Sequence, residues 1–537
     1  MGLYLNSRKP CALYQSEAAG PYFVDKSSLI TKLIPLVEQG KQYVCITRPR
    51  RFGKTVMANM IGAFFGKGES SSQIFNRLEI ARCKAYGRHI NQHDVIYISF
   101  NEMPRDCNTY QQYIDRIQNR LMKDLRAAYP DSEIDEGEAV WDVLEEIYEK
   151  GDGAKYIFVL DEWDFIFHRD FVTEADKMSY ISFLSNLLKD KPYVSLAYMT
   201  GILPIAKYSS GSELNMFIEF TMAKSPAFSD YFGFTEEEVD ELFHRYEMNC
   251  TCPSVTRAGL QEWYNGYHTA SGERVYNPRS VVNALHFNHL ESYWTSSGPY
   301  DEIFYYIEKN VADVRDDLAR MVAGQAVDAK VQEYAATSMS LQTKDEIFSA
   351  MVVYGFLSYN DGKVNIPNRE LMDKFEDMLL KEPSLGYVYR LAKESERMLR
   401  ATLAGDTSTM LEILEFVHNT EVPLLNYNNE TDLTAVVNLI YLSARDTYRV
   451  EREDKAGIGY VDFIFYPRRK NETGIILELK VDSTPQEAIR QIKDKKYTLR
   501  FQGKIGEEPE YSGKVLGVGI AYDKKLKKHS CQVEVIT

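Results

Sequence analysis

Residues 43–65 constrain this chain most tightly. Tyr43–Thr47 is a short apolar β-type run, Arg48-Pro-Arg-Arg-Phe-Gly-Lys54-Thr55 follows directly, and Val56–Phe65 continues with helical spacing. Strand, loop and helix in immediate succession demand a sheet with a helix laid on its face. Further β-type runs at Asp94–Phe100, Tyr156–Leu160 and Tyr193–Met199 alternate with helical patterns at Leu29–Glu38, Tyr110–Ala128, Ala139–Glu149 and Lys177–Leu188. Such alternation specifies a parallel α/β sheet covered on both faces. After residue 200 helical patterns dominate, at Glu236–Tyr246, Arg257–Tyr264 and Pro278–Leu290 and onward to about residue 420. A helix over Thr434–Ser443 then leads into a β-hairpin pattern and a further α/β segment.

Gly53-Lys54-Thr55, between strand and helix, has the form of the second half of a phosphate-binding loop. In such a loop backbone N–H groups and the helix N-terminus face phosphate oxygens, the lysine reaches the β- and γ-phosphates, and the hydroxyl helps hold Mg²⁺. The usual opening glycine is replaced by Arg48. The run Tyr156-Ile-Phe-Val-Leu-Asp161-Glu162 places two adjacent carboxylates at the end of a buried strand, where ligands of parallel sheets bind. Asp161 is expected near a metal, and Glu162 is expected to polarise a water. Arg48, Arg50 and Arg51 have three readings: bidentate phosphate clamps, a finger offered to a neighbouring subunit, or partners of the acidic segment 131–164. Clamping by at least one of them is favoured.

A second constellation lies near the C-terminus. Gly459–Tyr466 and Gly474–Val481 are β-rich runs joined by a short polar loop. A symmetric hairpin puts Asp462 directly opposite Glu478 on one face, and the period of two brings Lys480 to that face. Two adjacent carboxylates repel, and a divalent cation relieves the repulsion. A lysine beside them can orient or help deprotonate a water for attack on a phosphodiester. The bland alternative is an exposed hairpin face bearing an ornamental Glu-x-Lys.

The 537 residues exceed one compact core, and the net charge of −15 argues against a surface that binds nucleic acid throughout. The charge is uneven. Residues 131–164 hold thirteen acidic and two basic residues, whereas residues 481–537 hold eleven basic and eight acidic. Lys493, Lys495, Lys496 and Arg500 follow the hairpin and would suit a phosphate backbone. Seven sparse cysteines suit a reducing cytoplasm rather than a disulfide framework, and Cys250 and Cys252 lack the partners of a zinc site. No run reaches the length of a membrane span, and the first residues lack the apolar core of a signal peptide.

Several motifs carry a resemblance. Tyr22–Lys26, Arg48–Thr55 (RPRRFGKT), Val159–Trp163 (VLDEW), Met199–Ile205 (MTGILPI), Tyr231–Val239 (YFGFTEEEV) and Trp263–Tyr267 with Tyr276–Pro278 resemble the bacterial AAA-ATPase-like family over roughly the first 290 residues. That family carries the same arginine-rich loop, so Arg48 is an expected departure. The resemblance implies ATP and Mg²⁺ as cofactors. Nucleotide contacts would come from Arg48, Pro49, Arg50, Arg51, Phe52, Gly53, Lys54, Thr55, Asp161 and Thr200, with Thr200 where such ATPases sense the γ-phosphate and Thr55 and Asp161 at the metal. Whether ATP is hydrolysed or held as a switch stays open.

The C-terminal part looks like the PD-(D/E)xK nuclease superfamily, on Gly459–Asp462, Glu478-Leu-Lys480 and the helix Pro485–Lys496 with Ala488, Gln491, Ile492 and Tyr497. Asp462 and Glu478 would be metal ligands, Lys480 the water-activating residue, Gln491 an accessory catalytic contact and Glu430 an upstream carboxylate. Gly-Tyr-Val before Asp462 departs from the family's Gly-Arg. The implied architecture is α/β: an AAA-like P-loop ATPase core (1–205) with a parallel sheet, a helical lid (206–300), a helical linker (301–420), and a smaller restriction-endonuclease-like domain (421–537). The implied function is an ATP-binding, ATP-hydrolysing cytoplasmic protein that regulates a C-terminal metal-dependent nuclease acting on nucleic acid, with DNA favoured over RNA. ATPases of this broad class often assemble into rings or dimers, which makes a homo-oligomer an open expectation, and the sequence patterning gives no expectation of a membrane partner. The rival is an ATP-dependent signalling or scaffold protein whose nuclease-like domain binds without cutting.

Overall fold

The computed structural model describes residues 2–40, 42–130, 134–135, 137–150, 153–205, 213–223, 225–294, 311–331, 341, 343–381, 385, 387–419, 430–456, 459–469, 471–501 and 513–536. Two units emerge, interleaved in sequence: Met1–Ile303 with Asp328–Leu371, and Phe304–Val327 with Met372–Thr537.

The first unit is built on five parallel strands, β1 (Gln42–Thr47), β2 (Asp94–Ser99), β3 (Tyr156–Asp161), β4 (Val194–Gly201) and β5 (Ile218–Phe220), in the order β2-β3-β4-β1-β5. Every residue of β3 and β4 is buried. Strands this uniformly apolar belong to sheets covered on both sides. On one side lie α1 (Lys9–Ala18), α2 (Leu29–Gln39) and α3 (Lys54–Phe65), whose Tyr14, Leu33, Ile61 and Phe64 share a core with Val44, Val159 and Tyr198 of the strands. Alternation along the strands turns Phe158 and Leu160 the other way. That side receives α4 (Tyr110–Ala128), α5 (Val140–Lys150) and α6 (Glu174–Leu188). Tyr113 of α4 donates to the Phe100 carbonyl at 2.8 Å, and Tyr180 of α6 to the Trp163 carbonyl at 2.8 Å.

Helix starts follow local chemistry. Thr109 caps α4, and Thr173 with Asp176 closes a capping box on α6. Beyond the sheet, α7 (Glu236–Asn249), α8 (Arg257–Tyr264) and α9 (Pro278–Phe287) enclose their own core of Val239, Leu242, Leu260, Tyr264 and Val281. Helix α11 (Lys344–Tyr354) also belongs to this unit, whereas α10 (Val311–Val322) belongs to the second. The sequence spanned by α12 (Arg369–Lys381) includes the last boundary between units.

The second unit adds α13 (Tyr387–Ala404), α14 (Thr407–Asn419) and α15 (Glu430–Ile440) to a five-stranded sheet, β6 (Tyr448–Ala456), β7 (Gly459–Pro467), β8 (Gly474–Val481), β9 (Val515–Asp523) and β10 (Lys528–Val535), arranged in chain order. All neighbours are antiparallel except β8 and β9. That parallel pair requires a crossover, which α16 (Pro485–Asp494) supplies. Gly519 of β9, the ladder partner of Glu478, lets α16 approach closely, because a Cβ there would lie 2.4 Å from the Pro485 carbonyl oxygen. The hairpin register pairs Phe463 with Leu477 and Ile464 with Ile476, the alignment expected from symmetry. No helix among the described residues is long and apolar enough to cross a membrane.

Candidate functional site

At the carboxyl edge of the first sheet, the loop after β1 turns into α3 through Gly53 at φ +86°, a conformation that glycine adopts without steric cost. Arg51 also sits at positive φ, +72°. Lys54 is buried, and its Nζ donates to the Arg48 and Pro49 carbonyls at 2.8 Å each. Burial lowers its pKa to about 8, with Asp164, Asp161 and Glu162 holding it up.

Asp161 ends β3 fully buried. Thr200 Oγ1 donates to its Oδ1 at 2.6 Å, while Oδ2 has no hydrogen-bond partner. Burial raises the Asp161 pKa, opposed by Thr200 and Lys54. Glu162 follows at φ +54°, and its carboxyl is raised first by burial and then by Asp161. Arg50, Arg51, Gly53, Lys54, Thr55 and Glu162 line one wall of a cleft of about 750 Å³, the size of a nucleotide pocket. Tyr22, Phe234, Arg279 and His286 line the other.

Arg48, Asp161 and Thr200 are expected among the nucleotide contacts, and none of these side chains lines this cleft. The Arg48 guanidinium is buried, donates to the Thr47 and Phe220 carbonyls at 2.8 and 2.7 Å, and stacks 5.0 Å from the Phe232 ring. It holds β1 beside β5, and only its carbonyl serves the lysine. Thr200 acts through Asp161. Pro49 also lies off the cleft, whereas Phe52 is among its lining residues, packed edge-on to Tyr267 at 5.0 Å.

Two acids that carry no motif are prominent. Asp164 accepts from the Ile202 and Leu203 amides at 2.9 and 2.7 Å and shapes the turn after β4. Glu370 is fully buried, accepts from Ser280 Oγ at 2.9 and 3.0 Å and from the Trp294 amide at 2.6 Å, and faces Arg51. The Trp294 indole in turn donates to the Arg50 carbonyl at 3.4 Å. Burial lifts Glu370 to about 7 despite these donors. Glu370 is over 300 residues from the loop it supports. No local signal marks it, because the helix it begins carries charged residues throughout.

In the second unit, the Leu479 amide donates to Asp462 Oδ2 at 2.7 Å. Glu478 is buried, Lys480 Nζ donates to its Oε1 at 3.1 Å, and Gln491 of α16 donates to the same oxygen. Gln491 also donates to Tyr497 OH at 3.2 Å, which donates onward to the Tyr460 carbonyl at 2.6 Å. The Glu478 carboxyl is pushed well above its ordinary range, first by burial and then by Asp462, with Lys480 pulling it down. Its Oε2 is buried without a hydrogen bond.

Two close carboxylates with one such oxygen suit a hard divalent cation. Mg²⁺ needs only one or two carboxylates, with water and phosphate completing its shell. Among the described residues no group of three or more His, Cys, Asp and Glu converges as a metal cluster. Glu430 begins α15, but its side chain lies outside the described residues.

Family models match parts of both units. Residues 15–210 match the family model described as Predicted AAA-ATPase, and residues 429–526 match that of the PD-(D/E)XK nuclease superfamily. The chain joins an AAA-ATPase-like domain to a PD-(D/E)XK nuclease superfamily domain. Solved structures similar to this chain include a Walker-type ATPase of Pyrococcus abyssi, at 11% identity and TM-score 0.35 over 64% of this chain and 93% of that one. Another is the ORC2 protein of Aeropyrum pernix in ADPNP–ADP complexes, at 10% identity and TM-score 0.31 over 70% of this chain and 95% of that one. No curated protein matches the sequence.

Proposed function

We propose that the chain is an ATP-gated, Mg²⁺-dependent nuclease acting on DNA. The observation that carries this reading is the grouping of Asp462, Glu478, Lys480 and Gln491 in a chain that also holds the cleft lined by Lys54, Thr55 and Glu162. In the cleft, Lys54 exchanges its loop carbonyls for the β- and γ-phosphates, and Arg50 and Arg51 supply guanidinium groups beside it. Thr55 and Asp161 hold Mg²⁺, which neutralises phosphate charge when bound. Glu162 polarises the attacking water, so ATP is hydrolysed.

In the nuclease, Asp462 and Glu478 hold Mg²⁺, which stabilises charge on the scissile phosphate when bound. Lys480 Nζ leaves Glu478 to orient a water and, as the neutral amine, to accept its proton, and Gln491 keeps Glu478 in position. We assign 1–205 as the ATPase core, 206–300 as lid and 421–537 as nuclease, with 301–420 a linking region whose residues divide between the two units. Cytoplasmic residence and homo-oligomeric assembly complete the reading.

Plasmid cleavage in Mg²⁺ against EDTA tests the nuclease half. Lys480→Ala should lower the rate at least about a hundredfold, the usual range for losing a general base. Binding of DNA without cleavage by the wild type in any divalent metal, with or without ATP, would establish the scaffold reading instead. Glu162→Gln should bind ATP normally and hydrolyse it about a hundredfold more slowly.

A further inference from the structure

The site around Lys480 opens at the carboxyl end of β8, and three features converge there. Asp482, two residues beyond Lys480, sits at φ +56°, and its amide donates to the Tyr522 carbonyl at 2.8 Å. Its side chain turns to the β9–β10 turn, where Oδ1 accepts the Lys524 amide at 3.0 Å and Oδ2 lies 3.5 Å from Lys524 Nζ. Asp523 braces the same turn by accepting the Lys525 and Leu526 amides at 2.8 and 2.9 Å. The turn is therefore fixed to the strand that carries Lys480, and it presents Lys525, Lys527 and Lys528 exposed.

Lys480 pairs with Ala521 in the parallel ladder, four residues before Lys525. At about 3.3 Å per residue the turn lies within about 15 Å of Lys480, a reach of about four phosphates of one strand. Tyr460 lies two residues before Asp462 on β7, shares its face by alternation and is 68% exposed. An aromatic ring and a lysine cluster flanking a phosphodiester-cutting centre form a stacking and backbone-gripping surface. The basic residues of α16 are placed differently. Lys493 is engaged with Glu534, and Lys495 follows the helix end that is farther from the β8 carboxyl terminus.

We propose that the Lys525–Lys527–Lys528 turn and Tyr460 form the docking surface that lays duplex DNA across Lys480. This rests on the nuclease reading above and names the surface by which that site takes its substrate. The lysines act as point charges on phosphates and read no sequence. Tyr460 packs its ring against a deoxyribose of the backbone beside the cut.

Fluorescence anisotropy of the full chain with a 30-base-pair duplex, in EDTA over a range of KCl concentrations, separates binding from cleavage. Lys525→Ala/Lys527→Ala/Lys528→Ala should bind at least about tenfold more weakly at 100 mM salt. The slope of log affinity against log salt should fall by about two to three, close to one per lost phosphate contact. Tyr460→Ala should bind about three- to tenfold more weakly with the slope unchanged. Lys493→Ala/Lys495→Ala should stay within about twofold of wild type. A triple variant matching wild type in affinity and slope overturns the docking surface while leaving the nuclease reading intact. Wild type that binds duplex RNA but not duplex DNA overturns the choice of partner, and wild type that binds neither overturns both.

Discussion

Buried carboxylates carry most of the chemistry at the scale of single residues. Glu370 holds Ser280 and the Trp294 amide and faces Arg51, so removing it orphans buried donors at about 1–3 kcal/mol each. Glu370→Ala should lower the thermal midpoint and weaken ATP binding, measured by melting with and without ATP. Glu370→Gln keeps an acceptor and should do much less, and equal losses in the two variants would contradict this role.

Glu478 gives a pH-dependent case. Its carboxyl is raised from 4.5 to about 7, so the folded state holds a proton that the unfolded state has already released. Stability from this group is full below about pH 4.5 and is lost as pH rises through about 7. Glu478→Gln should therefore stabilise the protein in EDTA at pH 8 and change little at pH 5. Mg²⁺ should raise the wild-type midpoint at pH 8 and not that of the variant, because binding requires the ionised carboxylate. A midpoint shift independent of pH would contradict the assignment.

Elements differ in how far the sequence discloses them. The strand–loop–helix at 42–65 and the end of β3 were legible because a motif coincides with a change of period from two to 3.6. The hairpin register was legible because alternation tolerates no one-residue slip. Strand β5 was not, since three residues give no pattern and its place is fixed by pairing with β1. The direction of Arg48 was hidden for the same reason, because its acceptor, the Phe220 carbonyl, lies 172 residues away. Glu370 and Asp164 are long-range contacts without local signal. Gly519 shows how one residue sets an element: Gly519→Ala places a Cβ against the Pro485 carbonyl and must push α16, with Gln491, away from Glu478. Expected are a loss of about 1–3 kcal/mol of stability and of DNA cleavage, with ATP hydrolysis retained. Unchanged cleavage in denaturation-matched samples would mean that Gln491 is dispensable.

Across the whole molecule, the net charge of −15 resolves into an acidic segment at 131–164 and a neutral to basic C-terminal part. Global acidity therefore does not oppose a nucleic-acid substrate for the second unit. The two units are interleaved in sequence, since Asp328–Leu371 folds with the ATPase-like sheet and Phe304–Val327 with the nuclease-like one. The chain thus passes between them three times, and separating the domains by truncation would cut through both. Under the proposed function, nucleotide in one unit controls cutting by the other. The most direct test is the rate of DNA cleavage by the full chain in Mg²⁺, with and without ATP, for wild type and Lys54→Ala. ATP should raise the wild-type rate about tenfold, within the usual range of coupling between sites, and should leave Lys54→Ala at its basal rate. Cleavage that responds equally in both proteins, or in neither, would contradict the account.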